Sequence, residues 1–196
     1  MLKKHELKKR VNLALILFLI FPRILFSQIT DDSLQFSLNN NEAINIQNKP
    51  LDVDIKIDGK IDDAVWNDLV SYGAFKVTRP DTLEKTIYKT DVKIFYTADG
   101  FYISMNMEQP KETLVKRFKS RDDWQTKSDK TGFSLDTSGE AKYGYWFSKS
   151  LGDSEADGVI MPEKIYSTDW DGAWYGSTAE TDNGWSAEFY IPWSQM

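Results

Sequence analysis

The sequence has no cysteine, and its one histidine, His5, lies close to the N-terminus. Disulfide staples, thiolate nucleophiles, Ser-His-Asp triads and zinc sites built on His or Cys are therefore excluded from the body of the chain. What chemistry remains rests on carboxylates, lysine, tyrosine or a hard metal held by oxygen. Long apolar runs are also missing, with one exception at residues 11–21. That run is short for a membrane span and is broken by Pro22 and Arg23.

Lys3, Lys4, Lys8, Lys9 and Arg10 precede the run, and Phe26-Ser27-Gln28 follows it with a small residue. This order predicts an export signal over residues 1–27, cleaved after Ser27. The expected location is the periplasm, outer membrane or cell envelope. The whole chain has 24 Lys+Arg and 30 Asp+Glu, and the leader holds six of the bases but only one of the acids. The remainder carries a net charge of −11, which repels phosphate backbones and argues against a nucleic-acid partner.

What is abundant is aromatic: seven Trp, nine Tyr and eleven Phe supply a large core where no disulfide can help. Residues 28–50 are polar and read as a flexible N-terminal segment, with one short strand near 43–46. From there the pattern is β. Val92, Ile94 and Tyr96 alternate with polar or aromatic residues; after Asp99-Gly100 so do Phe101, Ile103, Met105 and Met107, which predicts a hairpin on a two-residue turn. Thr131, Phe133 and Leu135 form another face, then Tyr143, Tyr145 and Phe147, and residues 173–180 pair with 185–191 across Thr181-Asp182-Asn183-Gly184. Many short strands and little helix predict an all-β antiparallel sandwich over 51–196. Asp62 or Asp63 caps one short helix near 62–69, and Trp66 and Leu69 pin it to a sheet. Trp185, Ala187, Phe189 and Ile191 face one way on a strand that wants two neighbours, so the chain is expected to stop before the sandwich is complete.

Several segments carry a resemblance through their order and spacing. They are residues 57–66, 90–96 with 100–104, Arg121-Asp122-Asp123, Asp129 with 133–137, and 143–147. Leu151-Gly152 with Asp157-Gly158, Trp170-Asp171-Gly172-Ala173-Trp174 and 184–193 complete the set. Together they make residues 51–196 resemble the family 9 carbohydrate-binding module, in the version that opens exported proteins whose remainder is similar to an outer-membrane β-barrel. The resemblance implies a non-catalytic domain that binds a glycan, with a C-terminal outer-membrane barrel as a further partner and a role in carbohydrate catabolism. In sugar-binding members two tryptophans sandwich a ring at the chain's reducing end. Trp124 stands about two residues from the place of the first, Gly132 stands where a sugar-contacting glutamate is found, and the second would fall beyond Met196.

The residues give the same candidates on their own terms. Trp124 sits among Arg121, Asp122, Asp123, Gln125 and Lys127 without apolar alternation, as a surface platform does. Trp170 and Trp174 flank a polar turn, although Trp174 also enters the next strand, so one of the pair belongs in the core. Arg121 and Asp123 are candidates for holding sugar hydroxyls. Trp66 and Trp185 are assigned to the core, and Trp146 and Trp193 to packing or strand ends. Asp153, Glu155 and Asp157 begin like a calcium loop, but the closing acid would fall on Lys164, so a solvated acidic turn is the better reading. Asp122, Asp123, Asp129 and Asp136 are further acids that one end of a sandwich would gather. Two rivals stand beside glycan binding: an interaction domain that has lost the sugar, and a haem domain with Met105, Met107 or Met161 as axial ligand.

Overall fold

Period-two alternation becomes two sheets in the computed structural model, which describes Ile44 and residues 46–196. The leader expected over 1–27, most of the segment at 28–50, and Ala43 and Asn45 lie outside the described residues. The strands are β1 (Gln47–Asn48), β2 (Thr90–Tyr96), β3 (Gly100–Glu108), β4 (Lys130–Leu135), β5 (Gly144–Ser150), β6 (Glu155–Met161), β7 (Ile165–Ser167), β8 (Tyr175–Thr181) and β9 (Gly184–Pro192). One sheet has the order β1-β2-β3-β9-β8 and the other β4-β5-β6-β7. Every pairing is antiparallel except that of β1 with β2.

A short N-terminal strand lies at Gln47–Asn48, while Ala43 and Asn45 of the strand expected near 43–46 fall outside the described residues. Two expectations are corrected by local geometry. The helix near 62–69 is only a 3-10 turn at Ala64–Trp66: Asp63 makes no cap, and its carboxylate instead accepts the Lys56 N–H at 3.2 Å. The β2–β3 turn is centred on Ala98-Asp99, because Thr97 N–H already bonds Gly100 O. Gly100 belongs to β3, where a Cβ would lie 2.5 Å from both the Ile191 carbonyl and the Tyr190 ring. Strands β6 and β7 carry too little alternation to be read from sequence. Both neighbours of β9 come from within the described residues, namely β3 and β8.

The inner faces meet in a core of Val92, Phe101, Ile103, Met105, Phe147, Leu151, Trp174, Trp185, Ala187, Phe189 and Ile191. Burying such residues contributes roughly 1.5–3 kcal/mol apiece. Trp66 and Trp185 are buried as expected. Met105 belongs to this core, Met107 packs partly buried against it and Met161 is exposed, so the three methionines considered for haem occupy unlike environments.

A second core covers the outer face of the five-stranded sheet, where Trp66 and Leu69 pack on Phe95. Phe95, Tyr102, Tyr190 and Tyr175 are opposite one another on successive strands and stack at 4.5, 4.5 and 6.0 Å between ring centres. Beside that ladder Glu188 is fully buried. Its carboxylate accepts from Trp66 Nε1 (2.8 Å), Gly59 N (3.0 Å) and Asp58 N (3.1 Å), while Ser186 Oγ donates to Gly59 O at 2.6 Å. Strand β9 thus holds the 57–66 segment by a polar clamp. Burial, more than the three donors offset it, pushes the Glu188 carboxyl up to about 7. Gly59 has φ +86°, and a Cβ there would lie 2.5 Å from the Thr178 carbonyl carbon. The turn needs glycine on both counts.

Candidate functional site

The loop from β3 to β4 is tied down by its own polar residues. Asp129 Oδ2 accepts from Val115 N (2.8 Å) and Gln109 Nε2 (3.0 Å), and Ser154 Oγ accepts from Lys119 N (2.9 Å). Asp123 Oδ1 caps the turn at Gln125 N (2.9 Å) and Thr126 N (3.1 Å), and the Thr126 side chain first, then these N–H groups, hold its carboxyl below the usual range. Asp136 does the same for the β4–β5 turn, accepting from Ser138, Gly139 and Ala141 N–H groups. Asp129 and Asp136 are therefore separate structural acids. The expected gathering of Asp122, Asp123, Asp129 and Asp136 does not form.

Another gathering does. Arg121 reaches Asp157 (2.5 Å), Asp171 (2.9 Å) and Glu155 (3.0 Å), with Asp122 at 4.0 Å. Asp157 is fully buried and also accepts the Gly172 N–H at 2.7 Å. Burial raises its carboxyl, opposed by Gly172 and Arg121. Carboxylate oxygens of Asp122, Asp157 and Asp171 lie within 4.8 Å of one another, but the guanidinium already supplies their positive partner. The calcium-loop pattern at Asp153, Glu155 and Asp157 is not a loop: Glu155 and Asp157 are in β6 and paired with Arg121. Asp153 instead meets Lys149 (3.3 Å) and the Thr178 N–H.

The three tryptophans proposed as platforms separate. Trp174 is buried and stacks on Phe189 at 5.8 Å, and Gly176 leaves the space its ring fills. Its ring belongs to the core and offers no face to a ligand. Trp170 is half-buried against Tyr145 (4.9 Å) and Phe147 (6.1 Å) and lies over Gly172. Trp124 is 47% exposed, the most of the seven tryptophans. Arg121 therefore joins the loop that carries Trp124 to the loop of Trp170 and Trp174, while the rings themselves point into different places.

Trp124 lies on the outer face of the four-stranded sheet. Phe147 points inward to the core, so Trp146 beside it points out, and the Trp124 ring packs on Trp146 at 5.1 Å with a 54° tilt. Trp146 is fixed in turn by a bond from Nε1 to Ser167 O (3.2 Å) and by Tyr166 at 6.3 Å. On this face Lys130, Gly132 and Ser134 stand opposite Ser150, Ser148 and Trp146. A Cβ on Gly132 would lie 2.3 Å from the Phe147 carbonyl oxygen, so no side chain fits there. The Lys130 ammonium is 4.1 Å from the Trp124 ring centre and that of Lys119 5.9 Å. Sequence reasoning missed Trp146, Lys130, Lys119 and Tyr166. The alternation of Thr131, Phe133 and Leu135 with Lys130, Gly132 and Ser134 was the available signal.

A separate cleft of about 640 Å³ opens on the five-stranded sheet beside Lys60, Asp62, Asp91, Lys93, Asn106 and Glu180. Ser104 lines it with a buried hydroxyl that has no partner. No aromatic ring lines this cleft, so it offers hydrogen bonds but no surface on which a sugar ring stacks.

No protein-family model matches the sequence, and no curated protein matches it. The fold is similar to a family 9 carbohydrate-binding module from Caldicellulosiruptor kristjanssonii solved in complex with cellotriose. The likeness covers 76% of this chain and 67% of that one, with a TM-score of 0.52 and 14% identity. A family 9 module from the same organism solved in complex with glucose gives 78%, 70%, 0.56 and 14%. The described residues thus form a β-sandwich of the family 9 carbohydrate-binding-module type.

Proposed function

We propose that this domain is a non-catalytic glycan-binding module whose site is the Trp124 face of the four-stranded sheet. The observation that carries the reading is a half-exposed indole held rigid on a buried second indole, Trp146, with hydroxyl-bearing Ser134 and Ser148 on the same face. Sugar rings present an apolar C–H face that stacks on such a ring, while neighbouring polar groups meet the hydroxyls. The likeness to modules solved with cellotriose and glucose supports this choice of ligand class. With the leader read over residues 1–27, the glycan would be met outside the cytoplasm, where the domain holds it for whatever chemistry is attached. One stacked sugar gives about 4–8 kcal/mol, a dissociation constant on the order of micromolar to millimolar.

Calorimetric titration with cello-, xylo- and uronate oligosaccharides tests this. Trp124→Ala is expected to lose binding at least tenfold and to cost about 1–2 kcal/mol of stability, since half the ring is exposed already. Trp174→Ala is expected to cost about 3–5 kcal/mol as a core deletion. If Trp124→Ala binds saccharide as the parent does, the site is elsewhere.

One observation favours a second reading, an interaction domain without sugar. Lys130 stands over the Trp124 ring, and Gly132 leaves bare backbone where sugar-binding members of the resembling family carry a glutamate. Silence across a glycan array would decide for it.

A further inference from the structure

The surroundings of Trp124 depart from the charge balance of the chain. The chain is acidic, with a net charge of −6. Yet the two cations over the exposed Trp124 ring, Lys130 and Lys119, hold no ion pair among the described residues. Lys119 Nζ donates to the Asp123 carbonyl oxygen at 2.6 Å, and the Lys130 ammonium meets only the indole face. Asp123 turns its carboxylate away to the Gln125 and Thr126 N–H groups. Arg79 adds a third positive charge: burial first, then Lys119 and Arg79, lower the Lys130 amine, and no anion opposes them. Elsewhere the chain pairs its cations readily, as Arg121, Lys149 and Lys116 show.

We propose that the ligand of the Trp124 face is an acidic saccharide, its ring on the indole and its carboxylate or sulfate held between Lys130 and Lys119. This rests on the glycan reading above and narrows it. A neutral sugar would have to displace the Lys130 ammonium from the ring and leave it unpaired beside a second cation. An anionic sugar gives that ammonium a partner as it moves. Such a charge-assisted hydrogen bond is shorter and stronger than a neutral one, and salt weakens it where it stays open to solvent.

The protein is titrated with an oligogalacturonate, a sulfated oligosaccharide, a neutral cello-oligosaccharide of equal length and inorganic sulfate, at low and at 0.3 M salt. An acidic oligosaccharide is expected to bind at least tenfold more tightly than the neutral one, with salt narrowing the gap. Lys130→Gln is expected to bring the acidic-to-neutral ratio toward one, and Lys130→Arg to restore most of it. The uronate and sulfate arms identify which anion is preferred. Equal affinity for acidic and neutral oligosaccharides overturns this inference and leaves the glycan reading standing, whereas no binding to any saccharide removes both. Inorganic sulfate binding as well as the sulfated sugar also overturns it, because the ring would then contribute nothing.

Discussion

Glu188 should make the domain less stable as pH rises, and Glu188→Gln should remove that dependence. The native carboxyl titrates at about 7 against an ordinary value of 4.5, because burial disfavours its charge more than Trp66, Asp58 and Gly59 favour it. Native protein therefore holds a proton that the unfolded chain releases between those two values. The stabilisation is complete below pH 4.5 and is lost as pH climbs through 7, a swing of about 3 kcal/mol at 1.36 kcal/mol per unit. For a body of this size that corresponds to roughly 6–12 °C in Tm. Glutamine keeps the shape but not the titration, so the variant's curve lacks this component. Asp157, also raised by burial, is present in both proteins and cancels in the difference. Urea and thermal unfolding of both proteins at pH 5, 6, 7 and 8 give the measurement. The variant's stability minus the parent's should grow by about 2.5 kcal/mol across that range, since part of the swing lies below pH 5. Parallel profiles would refute the reasoning and show that the three donors carry the charged form at no net cost. Glu188→Ala, which orphans three N–H groups, should lose about 3 kcal/mol or more at pH 7.

Two further substitutions test the scaffold around the site. Arg121→Ala strips the fully buried Asp157 of its countercharge and should cost about 3–5 kcal/mol, with a larger loss at pH 8 than at pH 5; chemical unfolding at the two pH values reads it. Gly59→Ala forces a Cβ against the Thr178 backbone at positive φ and should cost about 2 kcal/mol or more in urea unfolding, whereas an unchanged midpoint would mean the turn relaxes freely.

Much of the framework was legible because it is written in alternation. The β2–β3 and β8–β9 hairpins and the inward set Trp185, Ala187, Phe189 and Ile191 follow from period two and turn residues, and the buried Trp66 from the apolar stripe it shares with Leu69. Residues 57–66 and 184–193 were both visible as segments of the resemblance, but the contact between them was not. Glu188 sits at a position that alternation assigns to solvent, and only the segment folded over it makes it buried. Gly100 misled by one residue because it serves a close approach to β9 rather than a positive φ. The acidic run at 153–157 mimicked an ion loop because ligand spacing and strand spacing share a period of two. At the candidate site, Trp124 was found as an aromatic without apolar company. Its neighbours Trp146 and Lys130 come from β5 and β4, and Tyr166, which packs on Trp146, comes from β7; sequence distance hides such contacts.

The strand order has a consequence for how the chain is made. β9 lies between β3 and β8, yet it is the last of the described strands to leave the ribosome. Until it arrives, β3 lacks one partner, β8 has none, and the clamp on Gly59 and Trp66 has no Glu188. The larger sheet therefore assembles late, through contacts distant in sequence, which is a slow kind of folding. A nascent chain kept open in this way remains threadable until its last strand is made.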